Sequence, residues 1–477
     1  MTTHVILNRT SSLQPSLIKC FSAIACLFVL EVILGFNGRL LLLSDIPIRM
    51  VLYALFSVIL LAMLVDAAAT NKLSITKDGL KRLIKPLDLS IAAFLFLNAI
   101  WIFIVPSITG YGIAMAVEQT VAFSVLALYF PIIILVRIGY MNWTKSHRMI
   151  KWSLLGLALL HIFLYIGEMI DGNQEFAVSL FDLIQKITMG HSTSPFVMYA
   201  EMKIKHNVRI IYPNSIFLVG MFYYFITSKQ NWKNTIFFLI GFTALLTTLT
   251  KSLWLGFASG MLIIIVFCLF DRKRLLAYGK TILVHIALAL ITSLVLNSVV
   301  FDNYVLARTS SFFAVQEGDQ RVIDPVTRAN LHPTYDFKRA DELDVTQRAN
   351  KVRLIQFQML IEKWKESPWY GFGYGSYADN YLRNNEKPYL YEMLLPSFLV
   401  QVGLIGLLVW AAFFSYIAYL LLRKTSNRKN AAAILYILIG LFVAAQFNPF
   451  LFGTSSMCLL LFCFIQMQAA KERTTAD

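Results

Sequence analysis

Residues 399–422 read LVQVGLIGLLVWAAFFSYIAYLLL, twenty-four positions without a charged side chain. A helix of that length rises about 36 Å, enough to cross a hydrocarbon core of about 30 Å. A helix apolar on every face belongs in a membrane or at the centre of a large core. Comparable runs lie at Leu52–Leu64, Ile91–Val105, Ser153–Ile166, Phe237–Thr250 and Met261–Phe270. The chain is 58% apolar, with a mean hydropathy of +0.65. No water-soluble fold has enough interior to hide all of these runs, so the sequence predicts an all-α polytopic membrane protein.

Working outward from residue 399, apolar segments predict about twelve spans. They fall near 17–36, 50–69, 88–106, 113–136, 152–170, 211–228, 234–249, 252–270, 281–299, 394–422, 431–447 and 454–470. The segment NKLSITKDGLKRLIKP after the second span carries Lys72, Lys77, Lys81, Arg82 and Lys85. Such a basic loop marks the cytoplasmic side. Arg137, Lys145 and Arg148 fall on that side too, as do Lys229 and Lys233, Arg272 to Lys280, and Arg423 to Lys429. Both termini are expected on that cytoplasmic side. The outer side then receives the stretch 171–210, a tight turn at Thr250–Ser252, and a large periplasmic loop between spans nine and ten. Three regions follow: residues 1–299 with nine spans, the loop 300–392, and residues 393–477 with three spans and a tail.

The net charge of +15 resides in these short loops. No basic stripe with interleaved aromatics is present, which excludes a nucleic-acid groove. Cys20, Cys26, Cys268, Cys458 and Cys463 lie in or beside apolar runs without metal-ligand spacing. They are expected as small packing residues, neither bridged nor metal-bound. The first apolar run lacks a signal-peptidase site and is expected to remain as a span.

The large loop is partly helical. In residues 341–366, Val352, Ile355, Phe357, Leu360, Ile361 and Trp364 recur at roughly helical spacing. The turn SPWYGFGYGSY follows, with Gly371, Gly373 and Gly375 alternating. Two readings stand: a turn returning the chain to the membrane, or a nest of N–H groups that binds an anion. Tyr374, Tyr377, Tyr389, Tyr391, Trp369 and Tyr370 crowd the return segment, either as interfacial anchors or as faces that stack on sugars. Inside spans, Glu31, Glu118, His161 and Glu168 stand out as ionisable. His191, His206 and His332 show no metal-binding spacing.

Three segments together resemble the O-antigen polymerase and ligase family, membrane glycosyltransferases that act on lipid-linked sugars. In VRIIYPNSIFLVG, Arg209, Pro213 and Asn214 fall on the family's Arg and Pro-Asn at the start of a span. LTTLTKSLWLGF is similar to the family's Thr/Ser-rich turn, with Lys251 and Ser252–Leu253 where Ser-Arg is usual. Arg353, the Pro368 to Gly375 turn and Gly403-Leu-Ile-Gly406 follow the family order of Arg, helix, Pro, Gly-x-Gly-x-Gly and Gly-Leu-x-Gly. Glu392 and Met393 occupy the positions where the family often has His-Asn.

The resemblance implies a GT-C-like fold and a sugar chain carried on undecaprenyl pyrophosphate as substrate. Membrane lipids and a chain-length regulator are the implied partners, with no metal, cofactor or nucleic acid. A departing diphosphate needs fixed cations, and guanidinium matches its oxygens. Arg209 and Arg353 are therefore the first candidates, with Arg348 and Lys251 beside them and Asn214, Gly371, Gly373 and Gly375 as substrate contacts. An acceptor hydroxyl must lose a proton, and Glu392 is the candidate base, ahead of Glu386 and Asp379. The implied reaction is polymerisation of lipid-linked repeats. Ligation to a lipid or protein acceptor is the alternative. A flippase is the third reading, disfavoured because a transporter more often shows paired repeats and broken helices at membrane depth and would not need so long an outer loop.

Overall fold

Fourteen helices follow one another in a computed structural model that describes residues 15–35, 41–43, 46–70, 73, 83–171, 176–189, 202–204, 207–209, 213–228, 231–269, 272–301, 303, 342–379, 387–424 and 427–473. They are α1 Pro15–Leu34, α2 Ile48–Ala69, α3 Pro86–Thr109, α4 Ile113–Arg137, α5 Trp143–Asp171, α6 Phe176–Met189 and α7 Ile216–Thr227. Then come α8 Trp232–Thr247, α9 Lys251–Leu269, α10 Arg272–Val299, α11 Glu342–Glu366, α12 Leu394–Arg423, α13 Arg428–Ala445 and α14 Thr454–Arg473. Two short antiparallel hairpins join them: β1 Leu42–Leu43 with β2 Ile46–Pro47, and β3 Met202–Ile204 with β4 Asn207–Arg209.

Six of these helices, α2, α3, α4, α5, α12 and α13, are long and apolar enough to cross a membrane, and six further segments are shorter and apolar. The perimeter is oily. Val58, Leu61 and Val65 on α2 expose 64%, 62% and 62% of their surface along one stripe, which water would not tolerate. Of the six long apolar helices the most interior is α13, with 72% of its apolar window buried against 17% for α2. It packs closely on α9, where small residues let the backbones meet. A Cβ at Gly256 would lie 2.5 Å from the Gly440 carbonyl oxygen, and one at Gly260 would lie 2.6 Å from the Tyr436 ring. This is the small-xxx-small seam of membrane helix pairs.

Several polar groups inside the bundle are paired across helices. Arg137 on α4 meets both carboxylate oxygens of Asp88 on α3, which also accepts from Tyr129 Oη at 2.5 Å and caps the helix at the Lys85 N–H. Arg49 Nε on α2 meets Glu31 Oε2 on α1 at 2.6 Å. Ser215 Oγ and His161 Nε2 lie 3.3 Å apart between α7 and α5.

Some boundaries differ from the sequence reading. The basic residues Arg272 to Lys280 belong to α10 instead of a loop, because nothing in that stretch breaks a helix. Within 171–210 a helix, α6, and the β3–β4 hairpin are present. Between α8 and α9 the turn is Thr248–Thr250, with Leu249 at φ +45°, and Lys251 already begins α9. Lys72, Lys77, Lys81, Arg82, Lys229, His191, His206, His332, Glu386 and residues 304–341 of the large loop lie outside the described residues.

Candidate functional site

The glycine-rich turn is wedged into two broken helices. At Gly403, φ +61° and ψ −170° interrupt α12 in a conformation open essentially to glycine alone. An unbroken helix would pair Leu404 N with Val400 O and Ile405 N with Gln401 O. Instead Leu404 and Ile405 donate to Pro368 O and Trp369 O, and Val400 O and Gln401 O accept from Phe372 and Gly373. These four groups released by the break are thus all taken up by the turn. The second break is in α3, which is π-helical over Ile100–Ile104. There an i to i−5 pattern assigns Trp101 O to residue 106, but Pro106 has no N–H. Tyr374 N supplies the missing donor at 2.9 Å.

This fit explains why the glycines alternate. A Cβ at Gly371, Gly373 or Gly375 would stand 2.6, 2.3 or 2.6 Å from Gln401 O, Pro106 Cγ or Ala116 N respectively. It also decides between the two readings of the turn. The N–H groups of residues 371 to 376 donate to Ser367 O, Val400 O, Gln401 O, Trp101 O, Gln119 Oε1 and Gly373 O. Expectation of substrate contacts at Gly371, Gly373 and Gly375 is thereby corrected: the protein's own acceptors occupy the nest, and the glycines are structural.

Below the turn, buried amides hold it in place. Tyr374 Oη donates to Asn98 Oδ1 at 2.6 Å, and Trp410 Nε1 reaches the same oxygen at 3.0 Å. Gln119 Nε2 donates to Gln401 Oε1 at 3.1 Å. Trp101 Nε1 and Thr109 Oγ1 donate to Tyr370 O and Phe372 O. None of Asn98, Gln119 and Gln401 stood out in the sequence, because attention to ionisable groups passes over neutral amides within apolar runs.

Above the turn, α11 lies against α12 and carries the charges. Arg353 Nε donates to Glu392 Oε2 at 3.0 Å, with 33% and 19% of the two side chains exposed. Two candidates 39 residues apart in sequence thus form one ion pair. Lys363 Nζ meets Glu366 at 2.8 Å and Asp379 at 3.0 Å, and lies 4.6 Å from the centre of the Phe372 ring. Burial lowers the Lys363 pKa, but hydrogen bonds to Glu366, Asp379 and Tyr111 outweigh it and hold the ammonium above its usual range. Asp379 is therefore tied to Lys363. Lys387 Nζ meets Glu118 Oε1 at 3.1 Å, fastening the segment that carries Glu392 to α4. Burial, and then the neighbouring Glu118 carboxylate, push the Tyr389 phenol above its usual value.

The aromatic residues divide. Tyr374, Tyr389 and Tyr391 are buried, whereas Trp369 and Tyr370 are 61% and 60% exposed. Phe452, in the turn before α14, meets Tyr374 and Phe398 edge to face and joins that turn to the glycine-rich one. In the same turn, Asn448 donates to Ser252 Oγ beside the half-buried Lys251.

Asn214 is 1% exposed, donates to Ile33 O at 3.1 Å and accepts from Ser455 Oγ at 2.7 Å. It ties α7 to α1 and α14, so the expected substrate contact is corrected to a structural clip. Arg209 ends β4, which packs on α5, and Arg348 lies within α11; the side chains of both lie outside the described residues.

Residues 236–411 match a family model described as O-antigen ligase. The chain carries an O-antigen ligase family domain. The domain takes in α9, α10, α11, the glycine-rich turn, Glu392 and the Gly403 break, so the ion pair and the interlock both lie inside it. Arg209, Pro213 and Asn214 precede the matched residues. Neither curated proteins nor solved structures give a match. The long apolar helices together with this matched domain are those of a membrane protein.

Proposed function

We propose that this protein transfers a glycan from a polyprenyl diphosphate carrier to a saccharide acceptor at the extracytoplasmic face of a bacterial inner membrane. On this reading the chain crosses the membrane twelve times, with both termini inside. The Arg353–Glu392 pair carries the proposal: a guanidinium on a helix packed against a span and a carboxylate just before that span share one site within the family domain. The acceptor hydroxyl attacks the anomeric carbon while Glu392 takes its proton. The bond from that carbon to the diphosphate oxygen breaks, and the electron pair leaves on the diphosphate. Arg353 neutralises the developing charge, aided by Arg209, Arg348 and Lys251. The diphosphate competes with Glu392 for Arg353, so donor binding releases the carboxylate for its work as base.

Within this reaction class we favour polymerisation of lipid-linked repeats, because glutamate stands where many family members have histidine. The family model's description supports ligation as the second reading. Gene deletion followed by gel analysis of the surface glycan separates them. Single-repeat products indicate a polymerase, and polymer stranded on carrier lipid indicates a ligase. Undecorated core with donor trapped inside would point to a flippase and refute both.

A further inference from the structure

One face of α11 carries Arg353, Gln356 and Leu360 at helical i, i+3 and i+4 steps. Arg353 pairs with Glu392, and Leu360 packs with Tyr391 and Val400. Gln356 lies between Arg353 and Leu360 on that face of α11. Its side chain is 0% exposed, and neither Nε2 nor Oε1 has a hydrogen-bond partner among the described residues. No other buried amide described has both ends unpaired. The contrast with Asn98, Gln119 and Gln401, bonded to partners a short distance away, is sharp. A buried unpaired amide is a standing cost that leucine or methionine would avoid.

We propose that Gln356 is a glycan-binding residue, concealed while the Arg353–Glu392 pair is closed. When a diphosphate draws Arg353 away from Glu392, the seam between α11 and Tyr391–Glu392 parts and the amide is uncovered one helical turn from the charge. An amide offers both a donor and an acceptor. That pairing suits the hydroxyl or acetamido group of the sugar attached to the diphosphate, a group the bare carrier lacks. The inference rests on the proposed role of Arg353.

The test uses the full chain in lipid nanodiscs, with Gln356→Met and Gln356→Leu. Three quantities are read: melting temperature, affinity for undecaprenyl diphosphate without sugar, and KM for the glycan-loaded donor. The expected result is a higher melting temperature, bare-lipid affinity within twofold of wild type, and a KM raised roughly 3- to 10-fold, the range of one lost neutral hydrogen bond. An unchanged KM in both variants overturns the proposal whatever the melting temperature does. Failure of the underlying site is read separately: Arg353→Gln would then bind bare undecaprenyl diphosphate as tightly as wild type.

Discussion

Replacing Gly403 by alanine should unlock the turn from α12. Gly403 holds φ +61° and ψ −170°, and forcing a residue with a Cβ there costs about 1–3 kcal/mol. The added Cβ would stand 2.4 Å from Trp369 O and 2.6 Å from Gly371 N, both backbone atoms that no rotamer change can move. Relief requires the turn to withdraw, giving up two or more of the four interlocking bonds at about 1 kcal/mol each. The sum is about 4 kcal/mol. Two controls calibrate it. Gly139 has φ +75° but open space for a Cβ, so Gly139→Ala should cost only about 1 kcal/mol. At Gly156 a Cβ meets the Leu34 methyls at an ordinary 3.9 Å, so Gly156→Ala should be neutral or stabilising by up to about 1 kcal/mol. The assay is denaturant unfolding in mixed micelles, with hydrogen exchange at the Phe372, Gly373, Leu404 and Ile405 amides. If Gly403→Ala costs no more than Gly139→Ala and those amides stay protected, the interlock is refuted.

Glu392→Gln should lower transfer by about 10²–10⁴-fold, and Glu392→His should retain more activity, since imidazole also accepts a proton; equal loss in both would argue against a base at this position. Asn214→Ala should cost about 1–3 kcal/mol by leaving Ser455 and Ile33 O without their partner, with KM unchanged, read by thermal unfolding beside kinetics. Arg137→Leu should cost about 3–5 kcal/mol because it strands Asp88 in the bundle, and adding Asp88→Asn should recover much of the loss in a double-mutant cycle.

The helices were legible because membrane spans announce themselves by length and uniform apolarity, and α11 by its recurring apolar residues. Arg353 and Glu392 stand in different segments of the sequence, and their pairing at 3.0 Å is visible only in the fold. The role of the glycines was not legible either. Alternating glycines serve an anion nest and a tight backbone fit equally well, and only the carbonyls of Val400, Gln401 and Trp101, freed by the breaks at Gly403 and Pro106, decide between them. Asn214 misled for a related reason, since a polar residue opening a span looks like a ligand contact until Ile33 O and Ser455 appear beside it. Lys363 with Asp379, and Lys387 with Glu118, join residues 16 and 269 positions apart across loops whose course the sequence does not reveal.

A single-turnover transfer assay on Arg353→Gln decides whether the guanidinium on α11 stabilises the leaving diphosphate. Proteoliposomes would carry polyprenyl-diphosphate-linked donor at saturating concentration, with Arg353→Lys alongside. The expected outcome is a drop of about 10²–10³-fold in the transfer rate for glutamine and a smaller one for lysine. A glutamine variant that transfers glycan at the wild-type rate would contradict it.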